Sequence, residues 1–512
     1  MALFYDALEP ARKTDQLVRT LQQMEATAFT TVVFSAAWSF TEPEEGRPRI
    51  EYINWLLDAA CKNTQLKVDL ILDMMEAPMW IWQRYPDAAA YDTDGRNYTR
   101  PSWFHPLTGD AIRRHLEAVS LHLAQNYPGC AVAIQPVFNN EYEAKYTQEH
   151  DAFQDYSPYA LAAFREWLRV RSPGGVAMLN ARWGTDFRSW DEVRPPVLHN
   201  GDNGVDFSAR YWDFLKFRED LGSSIYNNAC AAVKRGGLQC FHHFPEFFSV
   251  LDAIYGASMF KRLAASQHTD FVIMDSNFRT PYGTLMNPHK LRIYVAAAQS
   301  YGKPIYFEAA VERFSGLDVL EAGFRNSLMA GGVNLGITNW HTRVEMNASL
   351  AAAMRPKVDG SGACKPAELV GLFLHLDSCS MFHGLQWKWA RKDPLHDFVE
   401  DLAEQLSRDC STDIAVYIEL DRFLADMHTF DRVVFVEPTI LYGDKELANY
   451  IRVKSELEHM PHEVHHLPTN STAGVRLVVL QDLPGVGAAL GTGTGAAGAG
   501  AAGATDGRAH SA

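Results

Sequence analysis

The 512-residue chain lacks several features, and each absence excludes something. No apolar run approaches the about 18 residues of a membrane span. The opening MALFYDALEPARK has no basic segment followed by an apolar one, so no secretory leader is visible and a cytoplasmic location is expected. Positive charge is in deficit: 47 Lys and Arg against 62 Asp and Glu leave a net charge of −15. Nucleic acid and anionic membrane are thereby excluded as partners, since both require basic patches that neutralise phosphates. Cysteine is sparse, with seven residues at 61, 130, 230, 240, 364, 379 and 410. They form no CxxC pair and no metal-ligand spacing, so they read as reduced, mostly buried thiols.

What is abundant is apolar and aromatic. Hydrophobic residues make up 47 % and aromatics 12 %, with 12 Trp. This suits either a Trp-rich core or a surface for flat, apolar-faced ligands such as sugars. Up to about residue 355, short β-rich runs alternate with helical patterns, the signature of βα units and a parallel sheet. Eight strands are predicted: 2–5, 30–38, 66–75, 131–138, 238–244, 270–275, 303–308 and 332–340. That number predicts an α/β fold of the (β/α)8 TIM barrel type over residues 1–355, with chemistry at the strand C-termini. The segment 141–237 is too long for one crossover and is expected to be an insertion in the cleft wall. From 362 to 483 a second strand and helix pattern, ending in RLVVLQD, predicts a smaller α/β domain with a parallel sheet. Residues 484–512 are a Gly/Ala-rich tail too poor in large apolar residues to pack.

Two carboxylates stand where barrel strands give way to loops. Glu141 follows the run AVAIQPVFNN, and Glu308 ends KPIYFE. Carboxylates from two nonadjacent strands at one barrel mouth supply what glycoside hydrolysis requires, an acid for the leaving oxygen and a nucleophile for the anomeric carbon. A lone Glu after a strand also serves as a helix cap or an Arg partner. Asn140, beside Glu141, is placed to bind a sugar 2-hydroxyl, and Trp340, the last residue of the eighth strand, to floor a pyranose ring. Trp38 and Glu42 border the loop after the second strand, where they either orient the carboxylates or contact the substrate, or simply turn the chain.

Several runs resemble the glycoside hydrolases of family 42: AAWSFTEPEEG (36–46), EAPMWIWQRYPDAAAYDTDGR (76–96), NNEYEA (139–144), FREWLRVRSPGGVAMLNARWGTDFRSWDEVRPP (164–196) and YFEAA (306–310). Members are mostly retaining β-galactosidases of the clan A barrel type. The resemblance implies Glu141 as acid/base, Glu308 as nucleophile, Asn140 and Arg100 as sugar ligands, no cofactor, and a carbohydrate substrate. It also implies that the second domain is flavodoxin-like and takes part in a homotrimer.

The chain departs from the family at the strand ends. After Trp340 comes HTRVEMNASL, where Glu345 stands in for a Glu-x-x-His that lacks its His. The fifth strand ends CFHHF, which puts His242 and His243 near the sugar, with His242 taken as the hydroxyl ligand. Asp275 is the candidate on the sixth strand. The cysteine cluster that binds zinc in some members is missing, and no metal is implied. Two alternatives to a β-galactosidase stay open: a clan A glycosidase for arabinopyranosides, fucosides or glucosides, and an inactive carbohydrate-binding homologue.

Overall fold

The computed structural model describes residues 3–4, 10–27, 29–139, 141–146, 152–197, 204–205, 208–276, 289–309, 334–337, 367–383, 393–407, 412–468 and 477–481. All eight predicted barrel strands form: β1 (Leu3–Phe4), β2 (Thr31–Ala37), β3 (Lys67–Asp73), β4 (Ala131–Val137), β5 (Gln239–Phe244), β6 (Phe271–Ser276), β7 (Ile305–Ala309) and β8 (Asn334–Ile337). They pair in parallel in consecutive order from β1 to β8, with no β8 to β1 pairing among the described residues. The sheet curls nonetheless. Val33 of β2, Ile71, Ala133, Phe241 and Phe271 of β6 meet in one apolar cluster, and Tyr306 of β7 packs against it. Strands four positions apart touch only when the sheet bends round on itself.

Strand periodicity sorts the remaining positions. Val32, Phe34, Leu70, Leu72, Ile134, Cys240, Val272 and Met274, each next in sequence to an inward residue, belong instead to the large core shared with the helices. Both faces are buried, so the strands read as nearly unbroken apolar runs.

Helix Pro106–Asn126 opens with proline in its first turn, and the His105 ring accepts the Thr108 N–H at 3.2 Å. Helix Ala209–Gly236 is capped by Ser208, accepting from Tyr211 N–H at 3.3 Å. It stops at Gly237, whose φ of 104° is a left-handed conformation that glycine adopts without penalty. The two helices approach closely at Gly236, where an added Cβ would fall 2.4 Å from Ser120 Cβ. Helix Ala209–Gly236 also packs on β4 and β5 and so belongs to the barrel's outer layer. The irregular part of the 141–237 stretch therefore ends before residue 209.

The cysteine expectation is overturned for four residues. Cys61 pairs with Cys130 and Cys230 with Cys240, with Cα atoms 6.0 and 5.4 Å apart. The fold packs each helix cysteine against one beside or within a strand, 69 and 10 positions along the chain, which spacing alone does not disclose. Cys379 is a buried free thiol.

A second parallel sheet comprises β9 (Glu368–Leu374), β10 (Thr412–Tyr417), β11 (Arg432–Glu437) and β12 (His462–His466), in the spatial order β10-β9-β11-β12. This is the order of a doubly wound sheet. Its fourth strand is HEVHH rather than the expected RLVVLQD, of which Val478–Leu480 pairs instead with Ile440–Tyr442. The strand was overlooked because it lies at the sheet's edge, exposed and polar.

A buried charge network joins this sheet to the barrel helices. Asp377, after β9, accepts from Lys216 at 2.6 Å and from Lys261 at 2.7 and 2.8 Å. Glu219 takes Lys216 at 3.0 Å and Arg262 at 2.8 Å. Burial alone would push the Glu219 carboxyl up, but Lys216, Lys261 and Arg262 together hold it at about 2, against an ordinary 4.5. A depressed carboxyl contributes stability that is present above its unfolded value and lost as pH falls through its folded value. Urea unfolding should therefore show wild type losing stability faster than Glu219→Gln between about pH 4.5 and 2. Equal pH slopes for the two proteins would show that this network does not hold the sheet in place.

Candidate active site

Glu141 follows β4 in a turn built around Asn139, which is fully buried. Its Oδ1 accepts the N–H groups of Glu141 at 3.0 Å and Glu143 at 3.4 Å. Its amide donates to the carbonyl of Lys145 at 3.1 Å and to that of Glu143. Tyr226 from helix Ala209–Gly236 donates to the same two carbonyls at 3.3 and 3.2 Å. Within the turn Tyr142 has φ of 60°, unusual for a non-glycine residue, and Gln135 Nε2 donates to its carbonyl at 2.6 Å. The second Asn of NNEYEA lies outside the described residues, while the first is the hub of the loop.

Lys145 is the cation of this turn. Its ammonium pairs with Glu141 and, at 2.5 Å, with Glu143, and it lies 4.3 Å from the centre of the Tyr255 ring. Its side chain is 2 % exposed and that of Glu143 6 %, whereas that of Glu141 is 34 % exposed at the mouth. Burial raises the Glu143 carboxyl, Lys145 opposes this, and the Glu141 charge adds to it. The Lys145 amine is held above its usual range by Glu143, Glu141 and Tyr255 despite the opposing effect of burial.

Glu308 on β7 stands in register with Asp275 on β6 and Gly336 on β8. His243 on β5 brings Nε2 to 2.7 Å from Glu308 Oε2. Ala144 N–H donates to the His243 carbonyl at 2.6 Å, tying the Glu141 loop to this group. Burial would push the His243 imidazole down, but Glu308, with Glu143 and Asp275, raises it to about 9. Asp275 is driven well above the carboxylate range by burial and by the charges of Glu143 and Glu308. Glu141, Glu143, Lys145, His243, Asp275 and Glu308 thus form one electrostatic cluster at the C-terminal ends of β4 to β7.

Two candidates are corrected. His242 faces the helices, not the barrel: it is fully buried, with Nε2 3.5 Å from Cys230 Sγ and its ring against Tyr226. Burial depresses its imidazole to about 3. Because strand side chains alternate, only one of the two histidines enters the barrel, and it is His243. Trp38 is also fully buried. It donates to Glu42 Oε2 at 2.7 Å, stacks edge-on with Trp80, and offers no face to a sugar. Glu42 in turn receives the ring of His115 at 3.1 Å, so this loop supports the mouth from behind.

Arg100 is 2 % exposed, bonds to Gln154 Oε1 at 2.9 Å, and has its guanidinium 4.3 Å from the Tyr98 ring centre. It lines a cleft with Met74, Met75, Trp103 and Phe138. Asn140, Trp340 and Glu345 lie outside the described residues.

With the fold and the two carboxylates placed, similarity to known proteins becomes informative. The family model described as beta-galactosidase of glycoside hydrolase family 42 matches residues 7–307, more than half of the chain. The chain belongs to glycoside hydrolase family 42. Among curated relatives, Beta-galactosidase Pbg of Clostridium perfringens is 26 % identical over 188 residues, covering 36 % of this chain and 26 % of that protein. Beta-galactosidase GanA of Bacillus subtilis is 24 % identical over 231 residues, covering 42 % and 31 %. The aligned part of the chain thus spans about a quarter to a third of the length of these relatives. The solved beta-galactosidase of Halorubrum lacusprofundi superposes with a TM-score of 0.67 at 16 % identity, over 91 % of this chain and 73 % of that one. That of Marinomonas ef1 gives 0.66 at 17 %, over 91 % and 74 %. These two likenesses support the barrel fold.

Lys145 and Glu143 went unselected in the sequence. They sit in EYEAK, which reads as an ordinary charged loop, and only the Asn139-centred turn buries them. Nothing in the order of residues signals that burial.

Proposed function

We propose that this family 42 member hydrolyses terminal, non-reducing β-D-galactosides with retention of anomeric configuration. One observation carries the reading: Glu141 and Glu308 end β4 and β7 and are joined through Lys145, Glu143 and His243 into one cluster at the barrel mouth. In the first step a Glu308 oxygen bonds to the anomeric carbon as the glycosidic C–O bond breaks, and Glu141 delivers its proton to the leaving oxygen. In the second, water adds to the anomeric carbon and gives a proton to Glu141, which releases the Glu308 carboxylate. Neither step calls for a cofactor. Asn140 and Arg100 hold the sugar, with Trp340 and Glu345 closing the pocket. The second domain, read as flavodoxin-like over 362–483, would mediate a homotrimer, as the family resemblance implies.

One feature favours a different sugar. His243 stands beside Glu308 at 2.7 Å and narrows the space around it, so an arabinopyranoside or fucoside is a second reading for the same machinery. The test follows hydrolysis of 4-nitrophenyl β-D-galactopyranoside by proton NMR, beside the α-L-arabinopyranoside, β-D-fucoside and β-D-glucoside. β-Galactose is expected to appear first and to mutarotate later. Initial release of the α-anomer would rule out the double displacement, and inactivity on the whole panel would favour a binding protein.

A further inference from the structure

His243 Nε2 and Glu308 Oε2 are paired at 2.7 Å, and among the described residues neither atom has a further hydrogen-bond partner. Both residues are buried, 5 % and 7 % exposed. A buried polar atom without a hydrogen bond is costly unless something else satisfies it. Asp275, on the strand between theirs, brings a carboxylate oxygen so that the three ligating atoms lie within 4.8 Å of one another.

We infer that the barrel mouth binds a divalent transition-metal ion of the zinc class through His243 Nε2, Asp275 and Glu308. One imidazole nitrogen with two carboxylate oxygens is a donor set for a first-row cation, whereas magnesium and calcium prefer oxygen alone. Metal–ligand bonds of about 2.0 to 2.2 Å place neighbouring ligand atoms roughly 3 to 4 Å apart. The 2.7 Å pair would open slightly and the 4.8 Å limit would close by about an ångström, changes that side-chain rotation supplies. The three backbones are already fixed, since Glu308 is registered on Asp275 and His243 on Ile273, two residues before it. The consequence for catalysis rests on the nucleophile assigned above: a cation held by Glu308 removes the oxygen that must reach the anomeric carbon, so metal and sugar exclude one another.

The test uses the full chain, stripped of metal with a chelator and titrated with zinc chloride by isothermal calorimetry. A background could come from His462, His465 and His466 on the exposed edge strand β12, so a variant with all three changed to alanine serves as the reference protein. In that background one ion should bind per chain, and His243→Ala should weaken binding at least 30-fold. If that variant fails to fold, the isosteric Asp275→Asn carries the same expectation. Zinc should also raise the apparent KM for the 4-nitrophenyl glycoside at constant kcat, and it should do so less in either variant. Binding that survives both variants, or that disappears with the surface histidines, would overturn the site. If zinc binds in a His243-dependent manner while no glycoside is hydrolysed, the metal site stands and the proposed hydrolysis falls.

Discussion

Glu308→Ala should lower kcat for 4-nitrophenyl β-D-galactopyranoside by about 10⁴-fold or more, the scale seen when a covalent nucleophile is removed. Sodium azide should then restore turnover and give the α-galactosyl azide. The small anion enters the space left by the carboxylate and attacks the anomeric carbon from the face that Glu308 used. The inverted product is the signature, because water attacking through a surviving mechanism would leave galactose alone. Glu308 is 7 % exposed and pairs with His243 at 2.7 Å, so the substitution also strips a buried imidazole of its carboxylate. A thermal melt of the variant must accompany the kinetics to separate lost chemistry from lost folding. Activity within tenfold of wild type would show that another group attacks. Azide rescue of Glu141→Ala to the α-azide, with Glu308→Ala giving the β-azide instead, would exchange the two roles.

Lys145→Met should cost about 3 to 5 kcal/mol of unfolding free energy, the range for removing one partner of a buried ion pair. The estimate is large because Lys145 serves two carboxylates at once and is itself nearly inaccessible. Methionine keeps most of the side-chain volume and the contact with Tyr255, so the loss reports on charge rather than on a cavity. Without the ammonium, Glu143, already raised by burial and by the Glu141 charge, should be driven higher and take up a proton. The double variant Lys145→Met/Glu143→Gln should therefore recover part of the stability, because it removes the charge that was left uncompensated. Activity should stay low in both, since the Glu141 side chain has lost the group that holds its carboxylate. Urea unfolding of wild type, Lys145→Met, Glu143→Gln and the double variant closes the cycle. A loss below about 1 kcal/mol for the single variant would mean that the ammonium is replaced by solvent and that the turn is open to water.

The features legible in the chain are those governed by local pattern. Eight short apolar runs separated by helical periodicity became eight parallel strands in chain order, because a strand buried on both faces must be apolar along its length and can join its parallel neighbour only through a crossover. Glu141 and Glu308 could be placed at strand ends for the same reason, and the collinear motifs pointed to the family before any contact was known. Where local pattern is ambiguous, the sequence misled. HEVHH carries no apolar period because it is an exposed edge, and in CFHHF the alternation of a strand leaves either histidine free to face inward.

The sequence alone therefore determined the fold class, the order of the strands and the two carboxylates at their ends, since each depends on neighbours a few residues away. The tertiary structure alone decided which histidine reaches Glu308 and that Asp275 stands beside it. It also decided that Lys145 binds both Glu141 and Glu143, and that four cysteines pair. These relations join residues 10 to 69 positions apart or depend on burial, and distance and dielectric are properties of the folded sheet rather than of the chain.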